Sequence, residues 1–142
     1  MQAKVSARWT GQDLDYVTTN KRGNEVLMGG KAGVPPTHMM LMGLAGCMGM
    51  DVLSILQKKR QDVTNIEVDI IAHSADEHPR PFETIELAFR VQGNNIKPNA
   101  IERAIDLSIT KYCPVGQTLQ TKVVLQTSFT IEETTEETTE EA

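Results

Sequence analysis

Val5, Ala7 and Trp9 alternate with Lys4, Ser6 and Arg8, the period of two that marks a strand with one buried face. By the same alternation Arg8 points away from that face. Residues 14–18 and 24–28 read as two further short strands, set off by Gly11 and by the basic turn Asn20-Lys21-Arg22-Gly23. The loop GGKAGVPP over residues 29–36 closes on two prolines, which suit the first turn of a helix because no N–H partner is needed there.

Residues 37–60 read as one long helix that is apolar nearly all round and is therefore expected to be buried. Gly43, Gly46 and Gly49 recur every three residues. Each costs about 1 kcal/mol of helix propensity relative to alanine, which the close approach of another backbone would offset. Lys58-Lys59-Arg60 suit the negative end of the helix dipole. Ile66, Val68, Ile70 and Ala72 share one face of a following strand, and Ile85, Leu87, Phe89 and Val91 one face of the next. The polar, proline-containing HSADEHPRP between them reads as a hairpin loop. Asn99 and Glu102 have capping-box spacing before a second helix. Ile101, Ala104, Ile105, Ile109 and Tyr112 fall on one side of that helix, and Val123, Leu125, Phe129 and Ile131 mark a last strand. The order β-β-β-α-β-β-α-β is an α+β pattern, not an alternating doubly wound one.

A helix that is apolar on every side needs cover on every side, and one small domain has little material for it. The long helices of two copies sharing a core would supply that cover, so an obligate homodimer is expected.

Composition refines this reading. The 142 residues suffice for one domain with a real core. Only 4% of them are aromatic, so that core is aliphatic and methionine-rich. The net charge of −5 belongs to the end of the chain. Residues 132–142 carry six of the 19 acidic side chains and no basic one, leaving 13 acidic against 14 basic over 1–131. The expected organisation is thus a single domain over 1–131 and a disordered acidic tail over 132–142. Without a basic excess, nucleic acid is not expected as a partner. Residues 39–56 approach the length of a membrane span, but Asp51, Ser54 and three glycines interrupt them, and no membrane association is expected. The first fifteen residues hold no apolar stretch of a secretory signal, which points to the cytoplasm. There two cysteines are more often reactive or simply buried than disulfide-bonded, and two are too few for a Cys-only zinc site.

Cys47 lies in the middle of the long helix. It is either a small hydrophobe beside glycines or a reactive thiol. Asp51, four residues on, shares its side of the helix, and an unpaired carboxylate there would disfavour a thiolate. Cys113 precedes Pro114. If a short helix starts at that proline, Cys113 caps it, a position that favours a thiolate. Sequence separation leaves open whether the two cysteines meet. His38, near the start of the long helix, falls about 900° of rotation and about 13 Å from Cys47, which suits a solvated histidine. His73 and His78 flank the hairpin loop with Asp76 and Glu77 nearby and read as surface charge.

Residues Met39–Gly49 around Cys47, together with Tyr112-Cys113-Pro114-Val115, resemble the OsmC/Ohr family. The runs DVLSILQKKRQDV (51–63) and DLSITKYCPV (106–115) resemble its YhfA-like subgroup. The resemblance covers nearly all of 1–131, including the element order. It implies an intertwined homodimer with two long central helices wrapped by sheets. It also implies a thiol peroxidase that defends against oxidative stress by reducing organic hydroperoxides, a peroxiredoxin-like activity. Cys47 would be the peroxidatic residue, Cys113 the resolving one, and a lipoyl-type dithiol the reductant, with no metal, flavin or other cofactor. The family's active members carry a Glu near the start of the long helix and an Arg from the N-terminal region. Here Thr37 or His38 stands at the acidic position, and neither Arg8 nor Arg22 falls in a copy of the Arg motif. That departure supports the alternative of a non-catalytic dimer that binds a small apolar ligand or partner.

Overall fold

A computed structural model describes residues 2–134; the segment 135–142, the greater part of the expected acidic tail, lies outside them. The element order is β1 (Val5–Trp9), β2 (Tyr16–Asn20), β3 (Glu25–Met28), α1 (Pro36–Lys58), β4 (Asp62–Ser74), β5 (Phe82–Asn94), α2 (Pro98–Leu107), a π-helical segment (Ser108–Tyr112), α3 (Pro114–Leu119) and β6 (Val124–Glu133). The α+β class and the expected order hold, with the short helix at Pro114 added. The chain divides into two units at a boundary inside α1, between Met42 and Gly43.

The first unit is an antiparallel meander in the order β1-β2-β3. Val5 pairs with Asn20 and Trp9 with Tyr16. Alternation along β1 does not produce a buried face: all five residues are exposed, Val5 and Trp9 included. A three-stranded sheet of four- and five-residue strands covers too little of its own surface.

The second unit holds the sheet β4-β5-β6, with β4 antiparallel and β6 parallel to the central β5. Ile85, Leu87, Phe89 and Val91 of β5 are buried, as their alternation predicts. On the opposite face of the sheet Arg90 forms ion pairs with Glu67 and Asp69, both half-exposed. From α2, Ala100, Ile101, Ala104 and Ile105 join the core, and from α1 the stripe Leu44, Met48, Val52 and Leu56. That stripe recurs every four residues, one face of a helix.

Several expectations are corrected. Within a single chain the long helix keeps exposed positions, Met50 at 73% and Met42 at 56%. Among the described residues, nothing outside the surrounding helical turn comes within 4 Å of a β-carbon built at Gly43 or Gly46, and only the Val68 side chain, at 3.4 Å, approaches Gly49. The glycines therefore do not admit a second backbone from the same chain. By length and composition α1 could cross a membrane, a test the core helix of a soluble protein also passes; here its stripe belongs to the core with β5 and α2. The Asn99–Glu102 capping box is not formed. Lys97 is the N-cap and makes no side-chain cap, because its ammonium side chain offers no acceptor for an N2 or N3 N–H. The last strand runs to Glu133, two residues past the expected end. Glu132 accepts from Gln92 at 2.8 Å, and the backbone N–H of Thr134 donates to the Gly93 carbonyl at 2.8 Å.

Candidate functional site

Helix α1 places Cys47 and Asp51 one turn apart on the same side. Cys113 reaches them by a different route. After α2 the helix widens into a π turn in which the Cys113 N–H donates to the Ser108 carbonyl at 2.8 Å, five residues back. Such one-turn expansions shift the facing of everything that follows. Pro114 then ends the segment and holds Cys113 in an extended conformation, φ −92° and ψ 104°. The next helix starts at once, and its Gly116 N–H donates to Cys113 Sγ at 3.2 Å. The corner is tied by the side-chain amides of Gln117 and Gln120, which both donate to the Ile109 carbonyl, at 2.7 and 2.9 Å.

The result is a three-residue cluster. Cys47 Sγ, Cys113 Sγ and a carboxylate oxygen of Asp51 all lie within 4.8 Å of one another. Ser108, fully buried, donates its hydroxyl to Asp51 Oδ2 at 2.9 Å. Cys113 is fully buried and Cys47 half-buried; both are free thiols.

The electrostatics of Cys113 differ from what its capping position suggests. Its thiol is pushed up to about 11. Burial is the main cause, followed by the hydrogen bond its S–H makes to Cys47 and by the negative charge of Cys47 and Asp51. The Gly116 N–H opposes the shift but does not overcome it. A cap stabilises a thiolate at an open helix end, whereas here the sulfur has left water altogether. At neutral pH Cys113 keeps its proton.

Sequence reasoning missed Ser108. It stands at i+7 from Ile101, on the same apolar stripe as Ala104 and Ile105, and a polar side chain on a buried stripe calls for a partner. Tyr112 was expected on that stripe; the π turn carries it outward instead, to 53% exposure. It lines an open groove of about 440 Å³ together with Asp51, Ile55, Lys58, Lys59 and Leu107. The remaining candidates do not join the cluster. His38 is exposed in the first turn of α1, Arg8 and Arg22 are exposed in the first unit, and His78 is exposed in the hairpin loop. His73 pairs with Glu86 across the β4–β5 ladder at 2.5 Å.

Two small sheets, a long cysteine-bearing helix and a second cysteine at a helix corner define the class. The family described as OsmC-like protein matches residues 29–128, and the chain belongs to it. Protein YhfA of Escherichia coli K12 is 40% identical over 134 residues, covering 92% of this chain and 98% of YhfA. Among solved structures, a hypothetical protein from Aquifex aeolicus VF5 superposes with a TM-score of 0.87 at 26% identity, covering 95% of this chain and 99% of that one. The organic hydroperoxide resistance protein OhrB of Bacillus subtilis shares the fold, with a TM-score of 0.62 at 16% identity over 92% of this chain and 98% of its own.

Proposed function

We propose that this protein is a thiol peroxidase that reduces organic hydroperoxides with Cys47 and Cys113, as part of a cytoplasmic defence against oxidative stress. The observation that carries the reading is the approach of two free sulfurs from positions far apart in sequence to within 4.8 Å. The name of the Bacillus relative supports the same chemistry.

In this mechanism the Cys47 thiolate attacks the outer oxygen of the peroxide. The O–O bond breaks, an S–O bond forms, and the alkoxide leaves as the alcohol after taking a proton. Cys47 is now a sulfenic acid. The Cys113 sulfur then attacks the Cys47 sulfur. A disulfide forms, and the hydroxyl leaves with the Cys113 proton as water. The protonation of Cys113 supports this division of roles: the fully buried thiol that keeps its proton is the poorer first nucleophile and the natural second one. Asp51 lies close enough to relay that proton from the Cys113 sulfur to the leaving hydroxyl as the disulfide closes, ending as the carboxylate it began as. A dithiol of the lipoyl type would return both thiols by exchange. In the groove beside Asp51, Ile55, Leu107 and Tyr112 offer apolar contact for an alkyl or aryl group, next to the polar Ser54, Lys58 and Lys59.

The working unit in this reading is a homodimer of one OsmC-like domain per chain. The uncovered methionines of α1 and the open β-carbon positions at Gly43 and Gly46 are the surface a second copy would cover.

One observation favours the alternative of a non-catalytic ligand-binding protein. The first unit has an almost wholly apolar cavity of about 500 Å³, lined by Leu14, Tyr16, Met28 and Pro36. One experiment separates the two. Reduced protein is treated with about one equivalent of cumene hydroperoxide, the amount the oxidation ladder requires for one turnover, and free thiols are counted by mass spectrometry. Loss of both thiols, with sulfenic acid trapped on Cys47 in Cys113→Ser, is expected. Persistence of both thiols in a large peroxide excess would sink the peroxidase and leave the ligand-binding protein.

A further inference from the structure

We propose that Cys47, Cys113 and Asp51 also form a binding site for one zinc-class divalent cation, and that metal binding and disulfide formation are alternative states of the same two sulfurs. The proposal uses residues of the peroxidase reading but not its chemistry, so it stands or falls separately.

Geometry comes first. A tetrahedral zinc ion with Zn–S bonds of about 2.3 Å and Zn–O of about 2.0 Å places its sulfurs about 3.8 Å apart and each sulfur about 3.5 Å from the oxygen. The three donors already lie within 4.8 Å of one another, so closing on an ion shortens any one separation by at most about 1.3 Å. Among the described residues this is the one group of His, Cys, Asp and Glu with such spacing. Two donors come from adjacent turns of α1 and the third from the start of α3, so the set is held by regular elements and not by a loose loop.

Charge gives the second argument. With both thiols ionised the cluster holds three negative charges at a site that is largely out of water. A divalent cation offsets two of those charges, and metal binding and thiol deprotonation are therefore coupled. The balanced reaction takes one aqueous M²⁺, two thiols and one carboxylate to a complex of net charge −1 with release of two protons. Two S–H bonds break, two M–S bonds and one M–O bond form, and nothing is oxidised.

Supporting hydrogen bonds are the third. Ser108 holds the Asp51 carboxylate at 2.9 Å, and the Gly116 N–H points at Cys113 Sγ at 3.2 Å. Donors aimed at ligand atoms from outside are what orients a metal site. Two thiolates and a carboxylate select zinc, cadmium or cobalt over magnesium or calcium, which take oxygen donors. Three protein ligands leave the fourth position to water, which the groove beside Asp51 can supply. That open position sets the site apart from a closed four-ligand structural zinc.

The test is a titration of the reduced full-length protein with Co²⁺, whose bonds to thiolate give an intense near-ultraviolet charge-transfer band. The expected result is one equivalent bound per chain, the band present, and displacement by Zn²⁺. In weak buffer, proton release on binding is expected, because a thiol gives up its proton when it ligates a metal. The band should vanish in Cys47→Ser and in Cys113→Ser. Asp51→Asn, checked for fold by circular dichroism, should bind at least tenfold more weakly. The disulfide form should not bind. No band in the parent, unchanged affinity in Asp51→Asn, or equal binding by the disulfide form would each overturn the proposal. A second measurement needs no variant: one equivalent of Zn²⁺ should slow alkylation of both thiols in the parent, and unchanged alkylation also overturns it. Cumene hydroperoxide applied to metal-free protein reports on the peroxidase independently. Thiols that oxidise equally fast with and without Zn²⁺ would remove the metal site and leave the peroxidase. Thiols inert to peroxide beside a clear cobalt band would do the reverse.

Discussion

Cys113 illustrates how one side chain can satisfy a local rule and defeat its usual consequence. It caps α3 and accepts a backbone hydrogen bond from Gly116, yet its thiol is pushed up to about 11 because burial outweighs the cap. The stability consequence has a definite sign. A thiol whose folded value is raised above its unfolded value of 9.0 contributes stability below pH 9, and that contribution is lost as pH rises through 11. The reduced protein is therefore expected to lose stability between pH 9 and 11 by more than Cys113→Ser does, measured by urea unfolding at each pH so that other titrating groups cancel. Equal slopes would show that the thiol ionises as easily folded as unfolded. Asp51 acts on the same equilibrium. Asp51→Asn removes one of the charges that hold the proton on, so the Cys113 thiol should titrate lower, read from its ultraviolet thiolate absorbance in a Cys47→Ser background. Both expectations concern residues visible in the sequence. Their magnitudes come from surroundings that are not.

Glycines within the elements divide by what surrounds them. At Gly93, near the end of β5, an added β-carbon would lie 2.2 Å from the Asp62 carbonyl oxygen and 2.7 Å from Ile96 Cδ1. Gly93→Ala is expected to destabilise by about 1–3 kcal/mol, the usual cost of overpacking. At Gly116 the added carbon would meet Cys113 Sγ at 3.5 Å and Leu44 Cδ1 at 3.8 Å, ordinary contact distances. Gly116→Ala should therefore stabilise by about 0.4–1 kcal/mol, the gain from a less flexible unfolded chain. Thermal unfolding of the two variants side by side checks both signs. Element boundaries show the same contrast between near and far causes. Pro98 starts α2 two residues before an Asn99 cap would have, and Pro114 starts α3; a proline suits the first turn of each because its missing N–H is not needed there. The π turn at Ser108–Tyr112 has no such local mark. It reconciles an α2 stripe packed in the core with a Cys113 turned toward α1, which is a demand of packing.

For the molecule as a whole the open question is what covers α1. Among the described residues, only one face of it, Leu44, Met48, Val52 and Leu56, is buried. A β-carbon at Gly46 meets nothing within 4 Å. In an isolated chain Gly46→Leu would therefore raise helix stability by up to about 1 kcal/mol. In the proposed dimer the same side chain would enter the contact between the two long helices. We expect Gly46→Leu to remain folded by circular dichroism and to sediment as a monomer where the parent is a dimer. A parent that is monomeric at micromolar concentration, or a variant that dimerises unchanged, would place the second copy elsewhere or remove it.

Much of this architecture is written in short-range signals. Alternation over Ile85–Val91 marks the buried face of β5, apolar spacing marks α1 and α2, and a cysteine before a proline marks a helix start. The four-residue spacing of Cys47 and Asp51 puts them on one side of a helix whatever surrounds it. Such features survive in sequence because they depend on backbone geometry over a few residues. The parallel pairing of β5 with β6 does not, nor does the hydrogen bond from Ser108 to Asp51, nor the meeting of Cys47 with Cys113. Each joins residues far apart in the chain, and each is selected by how whole elements pack. Burial belongs with them. Hydrophobicity around α1 says that cover is needed, but which face the chain covers itself depends on where the sheet lies. The protonation of Cys113 follows from that burial, and so does the order of chemistry we propose for the two sulfurs.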